Sequence, residues 1–177
     1  RVEAATLRAL ALLGLPAPRR ARVLRRWIDN LTLPPLPAAG VDAIERELLD
    51  ARADTQARFD WHDASVRRWR DLLHAGHRCV PLPEDWHCDW DGSAPLPLPG
   101  GGRLLLLPQG GGDLTHRPMR VHARHGGERI HLPGRAHSHA LKHVLQQRDV
   151  PPWQRERLPL LSDPDGTLLA AGDIALS

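Results

Sequence analysis

The stretch Val150-Pro151-Pro152-Trp153 constrains the path of this chain more than any other. A residue before proline is pushed out of the helical region, and each proline locks φ and removes a backbone donor. The segment before it carries Ala140, Leu141, Val144 and Leu145 at helical spacing. That helix therefore has to end by Val150. Ser138 is its expected N-cap, and His139, Lys142, His143 and Gln146 take its outward side. A rigid corner follows, then a second basic turn with Arg155 and Arg157, then the apolar run Pro159-Leu160-Leu161. The stretch thus places positive charge on both sides of a fixed bend.

Charge elsewhere is just as uneven. From Arg117 to Arg157 there are nine basic residues (eight Arg and Lys142) against Glu128, Asp149 and Glu156, with six His besides. From Arg19 to Arg26 there are five Arg and no acid, whereas Asp42 to Asp63 holds seven acids against three Arg. The whole chain carries only +3, so both basic clusters are local. Two such patches on a nearly balanced chain point to a polyanion gripped at two places; charge alone leaves open that they are simply solvated faces.

With 177 residues the chain has room for one or two small domains. Its start at Arg1 rather than Met reads as a fragment or a processed product. No apolar run approaches the ~18 residues of a membrane span, so no membrane partner is expected. Two cysteines, Cys79 and Cys88, fit a reduced compartment, and a cytoplasmic protein is expected.

The expected class is α+β: a small helical domain over 1–73, a Pro/Gly-rich connecting segment with short strands over 74–116, and a small mixed domain over 117–177. Residues 3–13 read as a short helix stopped by Gly14 and Pro16. A second helix begins at Pro18, with Val23, Leu24, Trp27, Ile28 and Leu31 on one buried stripe. A third runs from Ala38 to about Asp54 on Val41, Ile44, Leu48 and Ala51. The stretch 57–73 fits a hairpin, which we favour, or a helix. Arg103–Leu107 reads as a short buried strand, and the acidic run 84–91 as an exposed loop with two Trp anchors. After Arg117 come strands at 119–124 and 129–132, the helix before the corner, and a hairpin formed by 159–161 and 168–172.

Several catalytic and metal motifs fail on inspection. Gln109-Gly-Gly-Gly-Asp-Leu114 is close to an ATP-cradling S-G-G-x-D-S loop, but both serine positions are wrong, so a surface turn is expected. His74, His77, Cys79, His87 and Cys88 have no metal-knuckle spacing, so no metal is expected. No nucleophile elbow or carboxylate pair stands out, so no catalytic residue is assigned. What remains is the basic corner. A helix start preceded by Gly134 and Arg135, with His139 and Lys142 in its first turns, suits a phosphate. Arg155 and Arg157 then reach further phosphates. Trp153 reads as a plug beneath the corner, with base stacking as the alternative. Glu128 and Arg155 have the option of pairing with each other.

These residues resemble a known family. Gly126-Gly127-Glu128-Arg129, Gly134-Arg135, Leu141-Lys142, Val150-Pro151-Pro152-Trp153 with Arg155, and Pro159-Leu160-Leu161 follow, in order, a pattern of the C-terminal domain of tRNA(Ile)-lysidine synthetases. The segments 19–37 and 44–71 are similar to that family's helical substrate-binding domain, with Ile28 where Leu is usual. The resemblance is weakest over 74–116.

The resemblance implies a tRNA-gripping role beside a separate N-terminal catalytic domain. In such enzymes ATP and Mg²⁺ serve to adenylate the wobble cytidine of a CAU-anticodon isoleucine tRNA. Lysine then displaces AMP, and reading switches from AUG to AUA. The expected RNA contacts are Arg19, Arg22, Arg25, Arg26, Arg129, Arg135, His139, Lys142, Arg155 and Arg157. Gly126, Gly127, Gly134, Pro151, Pro152 and Trp153 are expected to hold the motif's shape. This chain alone is expected to bind no cofactor and to make no lysidine. Homodimerisation stays open, and so do a stand-alone RNA-binding module and a purely structural domain.

Overall fold

The structure, a computed structural model, describes residues 5–50, 57–78, 80–107 and 116–177. It divides into two units, Arg1–Arg78 and Cys79–Ser177, each with its own apolar clusters.

The first unit begins with β1 (Thr6–Arg8) and α1 (Ala9–Leu13). The expected helix over 3–13 is thus shortened, because Thr6, Leu7 and Arg8 pair antiparallel with His74, Leu73 and Leu72. The helix starts where Asp71 allows it. The Asp71 carbonyl accepts the Ala9 N–H, and its side-chain Oδ1 accepts the Leu10 N–H, each at 2.8 Å. The next helix, α2 (Ala17–Asn30), has Pro18 in its first turn and buries Leu24, Trp27 and Ile28, with Val23 and Leu31 half-buried beside them. Then α3 (Ala38–Ala43) runs directly into a π-helical turn, Ile44–Leu49. Val41, Ile44 and Leu48 are buried as their spacing predicts, while Ala51 lies outside the described residues.

The region expected to be a hairpin becomes a meander of β2 (Arg58–Trp61), β3 (Ala64–Trp69) and β4 (Leu72–His77). The sheet order is β1-β4-β3-β2. The α+β class stands, but the first unit adds a four-stranded sheet to its helices. Its strands and helices share one core, in which Trp61, Val66 and Leu73 meet Leu24, Ile28 and Leu48. Trp61 also donates its indole N–H to the Pro34 carbonyl at 3.0 Å, which ties the proline-rich 33–37 segment to the sheet. Arg68 of β3 is only 8% exposed. Its guanidinium donates to the carbonyls of Leu48 and Leu49, at the end of the π-helical turn, and to that of Arg70.

The second unit contains β5 (His87–Trp90), β6 (Leu96–Pro97), β7 (Arg103–Leu104), β8 (Met119–His122), β9 (Arg129–Ile130) and β10 (His139–Ala140). Next come α4 (Leu141–Gln147), α5 (Pro152–Arg155), β11 (Leu160–Ser162), β12 (Leu168–Ala171) and β13 (Ala175–Leu176). The main sheet runs β10-β9-β12-β11-β8-β5, with β13 also on β12, while β6 and β7 pair separately. Side chains alternate across a strand, so neighbours in sequence serve opposite faces. Leu160 joins the cluster of Leu141, Val144, Leu145 and Val150 on one face, and Leu161 joins Met119, Val121 and Ala170 on the other.

The expected connector 74–116 is shared out. Residues 74–77 finish β4, and 87–90 form a strand against β8. The acidic run 84–91 is therefore not a loop throughout. Trp86 and Trp90 pack half-buried on the Met119 cluster, while His87 and Asp89 point outward. Arg103–Leu107 is corrected too. Only Arg103 and Leu104 are a strand, and Leu105 and Leu107 are 56% and 69% exposed. The Gly-rich stretch 109–114 lies outside the described residues.

Candidate nucleic-acid interface

On α2, the buried stripe forces the remaining positions outward. Arg19, Arg22, Arg25 and Arg26 are exposed, and none of the four is paired with a described residue. At 100° per residue they fall within one sector of the helix, joined only by Pro18 and Asp29. Arg20, the fifth arginine of the run, turns away from them. Its Nε meets Glu45 Oε1 at 2.8 Å, and its guanidinium also reaches the Leu15 carbonyl. The structure therefore sorts one structural arginine from four that face solvent.

In the second unit the expected phosphate cradle at the helix start is not formed. Ser138 is not the N-cap. Arg129 donates to its hydroxyl at 2.8 Å and to its carbonyl at 2.5 Å, and His139-Ala140 pairs with β9 as β10. The helix begins at Leu141, whose N–H goes to the Glu128 carbonyl at 2.8 Å. His139 is half-buried on a strand, whereas Lys142 is the exposed second residue of α4. Arg135 is exposed, as is Arg148, a cation sequence reasoning did not single out.

The corner is braced from within. Arg155 Nε donates to the Val150 carbonyl at 2.7 Å, across both prolines, and Arg157 reaches the Gly100 carbonyl at 3.5 Å. Both are half-buried, so their first work is structural. Trp153 is half-buried on α5, not a fully buried plug.

Gly126 and Gly127 have φ of 89° and 82°, a region costly for any other residue. That turn folds the backbone onto Glu128, whose Oε1 accepts the N–H groups of His125 at 2.6 Å and Gly126 at 2.7 Å. Arg124 lies 3.6 Å from its other oxygen. Glu128 therefore pairs with Arg124, not with Arg155. Burial pushes the Glu128 carboxyl up. The backbone N–H groups of Gly126, Glu128 itself and His125, with the Arg124 charge, outweigh burial and hold it below its ordinary 4.5. A carboxylate depressed on folding stabilises the fold above its unfolded pKa and loses that contribution as pH falls through the lower folded value. We expect Glu128→Gln to lower the melting temperature at neutral pH. We also expect the gap to wild type to close as pH falls below the ordinary value of 4.5. Melting curves across that range check this, and a gap that persists at low pH contradicts it.

The metal candidates do not converge. His74 and His77 sit on β4, where His77 Nδ1 is 2.9 Å from Asp63, and His87 and Cys88 point to opposite faces of β5. Cys79 lies outside the described residues. Among the described residues no three His, Cys, Asp or Glu side chains group to hold a metal ion.

A groove of about 1020 Å³ lies on the face of the second unit's sheet that carries Asp89, Arg120, His122 and Ser162. Sequence reasoning missed it. The signal was the alternation in Met119-Arg-Val-His122, which sends Arg120 and His122 to the face opposite Met119 and Val121.

Comparison with known proteins follows the same division. The TilS substrate binding domain matches residues 7–74, and the TilS substrate C-terminal domain matches residues 119–177. The chain belongs to the tRNA(Ile)-lysidine synthetase family. It corresponds to the C-terminal part of that family. The tRNA(Ile)-lysidine synthase of Xanthomonas axonopodis pv. citri is 50% identical over 167 residues, which is 94% of this chain and 38% of that protein. That of Methylococcus capsulatus is 32% identical over 155 residues, 85% of this chain and 35% of that protein. A crystal structure of a TilS C-terminal domain matches 52% of this chain and 83% of its own at 25% identity, with a TM-score of 0.41. The chain thus spans little more than a third of the length of these lysidine synthase relatives. Among the described residues no helix is long and apolar enough to cross a membrane.

Proposed function

We propose that this chain is the tRNA-gripping part of a tRNA(Ile)-lysidine synthase. It holds a CAU-anticodon isoleucine tRNA while a catalytic domain of the same protein joins lysine to the wobble cytidine. The observation that carries this reading is the α2 face, with four exposed arginines unpaired among the described residues, inside the segment that matches a substrate-binding domain. Arginine in this state suits phosphate, because its planar fork makes two hydrogen bonds at once. Arg135, Lys142 and Arg129 supply a second contact in the other unit.

The described residues do not fit the enzyme's cofactors. No metal-holding group occurs among them, and the Gly-rich stretch 109–114 lacks both serines of an ATP loop. ATP and Mg²⁺ therefore belong to the catalytic domain in this proposal. The alternative is a stand-alone RNA-binding module, which needs the same arginines but no discrimination between tRNAs.

The test is anisotropy of this chain with isoleucine tRNA (CAU) and elongator methionine tRNA across a salt series. We expect a log–log slope of about −4 or steeper, which corresponds to four or more neutralised phosphates. We expect tighter binding of the isoleucine tRNA. Equal affinity for both makes this part a positioning clamp and leaves selection to the catalytic domain. No binding at low salt overturns the proposal.

A further inference from the structure

The sheet-face groove of the second unit shares only Arg129 with the proposed tRNA contacts. Its charge is mixed. Arg120 and Arg129 line it, but so do Asp89, Asp91, Glu128 and Asp163. Arg120 is itself held by Asp89 at 3.1 Å. A continuous run of phosphates would meet more repulsion than attraction here, so this is not a backbone track.

Its distinctive content is a pair of aromatic rings held in place. His122 Nδ1 lies 2.8 Å from the Ala123 carbonyl, and Nε2 lies 2.9 Å from Ser162 Oγ. A carbonyl only accepts, so Nδ1 carries the proton, and in the neutral ring Nε2 accepts the Ser162 hydroxyl hydrogen. Both edges of the imidazole are thereby fixed. The His125 ring stacks on it, with centroids 6.2 Å apart and an 11° angle between planes. His125 is exposed and lines the groove. The adjacent Gly126-Gly127 turn, locked onto Glu128, sets where His125 stands. The site is therefore an ordered ring, hydrogen-bonding groups beside it, and an arginine on β8 and another on β9.

We infer that this groove takes one unpaired base of the bound RNA, stacked on His125. A base is uncharged, so the neighbouring carboxylates do not repel it. They and Ser162 can accept its N–H groups, while stacking on an aromatic ring works for any base. This rests on the proposed RNA-binding function and adds the class of nucleotide that this surface takes: single-stranded, not duplex.

The experiment uses the full chain, with isoleucine tRNA, a short single-stranded oligoribonucleotide and a blunt RNA duplex as probes. Trp90 lines the groove and reports on it by fluorescence, with Trp90→Phe identifying its signal. We expect the single strand to bind more tightly than the duplex and to quench Trp90. His125→Ala should weaken single-strand binding by roughly 5- to 150-fold, the range for removing one base stack. His125→Phe, which keeps a ring, should restore it. If single strand and duplex bind alike, or if His125→Ala matches wild type while tRNA still binds, the groove assignment falls and the tRNA-gripping function stands. If wild type binds no RNA at all, both fall.

Discussion

Replacing Arg19, Arg22, Arg25 and Arg26 together with Gln should remove most of the chain's affinity for tRNA without disturbing its fold. All four side chains are exposed on α2, outside the buried stripe of Leu24, Trp27 and Ile28. Gln has nearly the helix propensity of Arg, so α2 should persist. Every phosphate that is no longer neutralised reduces the salt slope by about 0.7–0.9, so the slope should shrink by about 3 to 3.6. Carried from about 1 M salt, where counterion release contributes nothing, to about 0.15 M, that is a weakening of several hundredfold to a thousandfold. Anisotropy at several salt concentrations measures it, with circular dichroism as the control for folding. An unchanged slope would place the RNA elsewhere.

The second large effect concerns stability. Arg68→Met should destabilise the first unit by about 3 kcal/mol or more. The side chain is nearly buried, and its removal takes the guanidinium away from the buried carbonyls of Leu48 and Leu49. Each buried acceptor left unpaired costs about 1–3 kcal/mol. Met fills much of the same volume, so the deficit is in hydrogen bonding more than in packing. For a unit of this size the melting temperature should fall by roughly 12–24 °C. Thermal unfolding followed by circular dichroism checks it. A variant that melts with wild type would show that water reaches these carbonyls. The same side chain clamps the end of the π-helical turn to the β3–β4 turn, so tRNA binding should weaken at temperatures where the unit loosens.

What could be read from the chain, and what could not, divides by the range of the forces involved. The α2 stripe and the stop at Val150 are local facts of spacing and of proline chemistry, and both hold in the structure. The Ser138 cap failed because its competitors, Arg129 and the β9–β10 pairing, come from a neighbouring strand. Thr6–Arg8 looked helical because nothing nearby in sequence reveals that β4 waits some 65 residues later to pair with it. Trp86 and Trp90 lay in a run of acids that suggested a loop, although His87-Cys88-Asp89-Trp90 alternates as a strand should. For the candidate interface, composition located both basic regions. It could not separate Arg20 and Arg155, which brace the fold, from Arg19, Arg22 and Arg135, which face solvent. That sorting depends on tertiary partners.

The position of β12 has a consequence for how the protein is made. Leu168–Ala171 lies between β9 and β11, with β13 on it as well, yet it follows almost every other strand in sequence. On a ribosome the first unit has all four of its strands once His77 has emerged, and three of them form a local meander. The second unit cannot join its two halves until residues 168–171 appear. Until then the apolar residues of β8, β9 and β11 have no central strand to close over them. Non-local sheets of this kind are slow to form and expose sticky surface meanwhile. Helix α2 is thus ready well before the sheet of the second unit, and a nascent chain can carry a finished half while the other is still open.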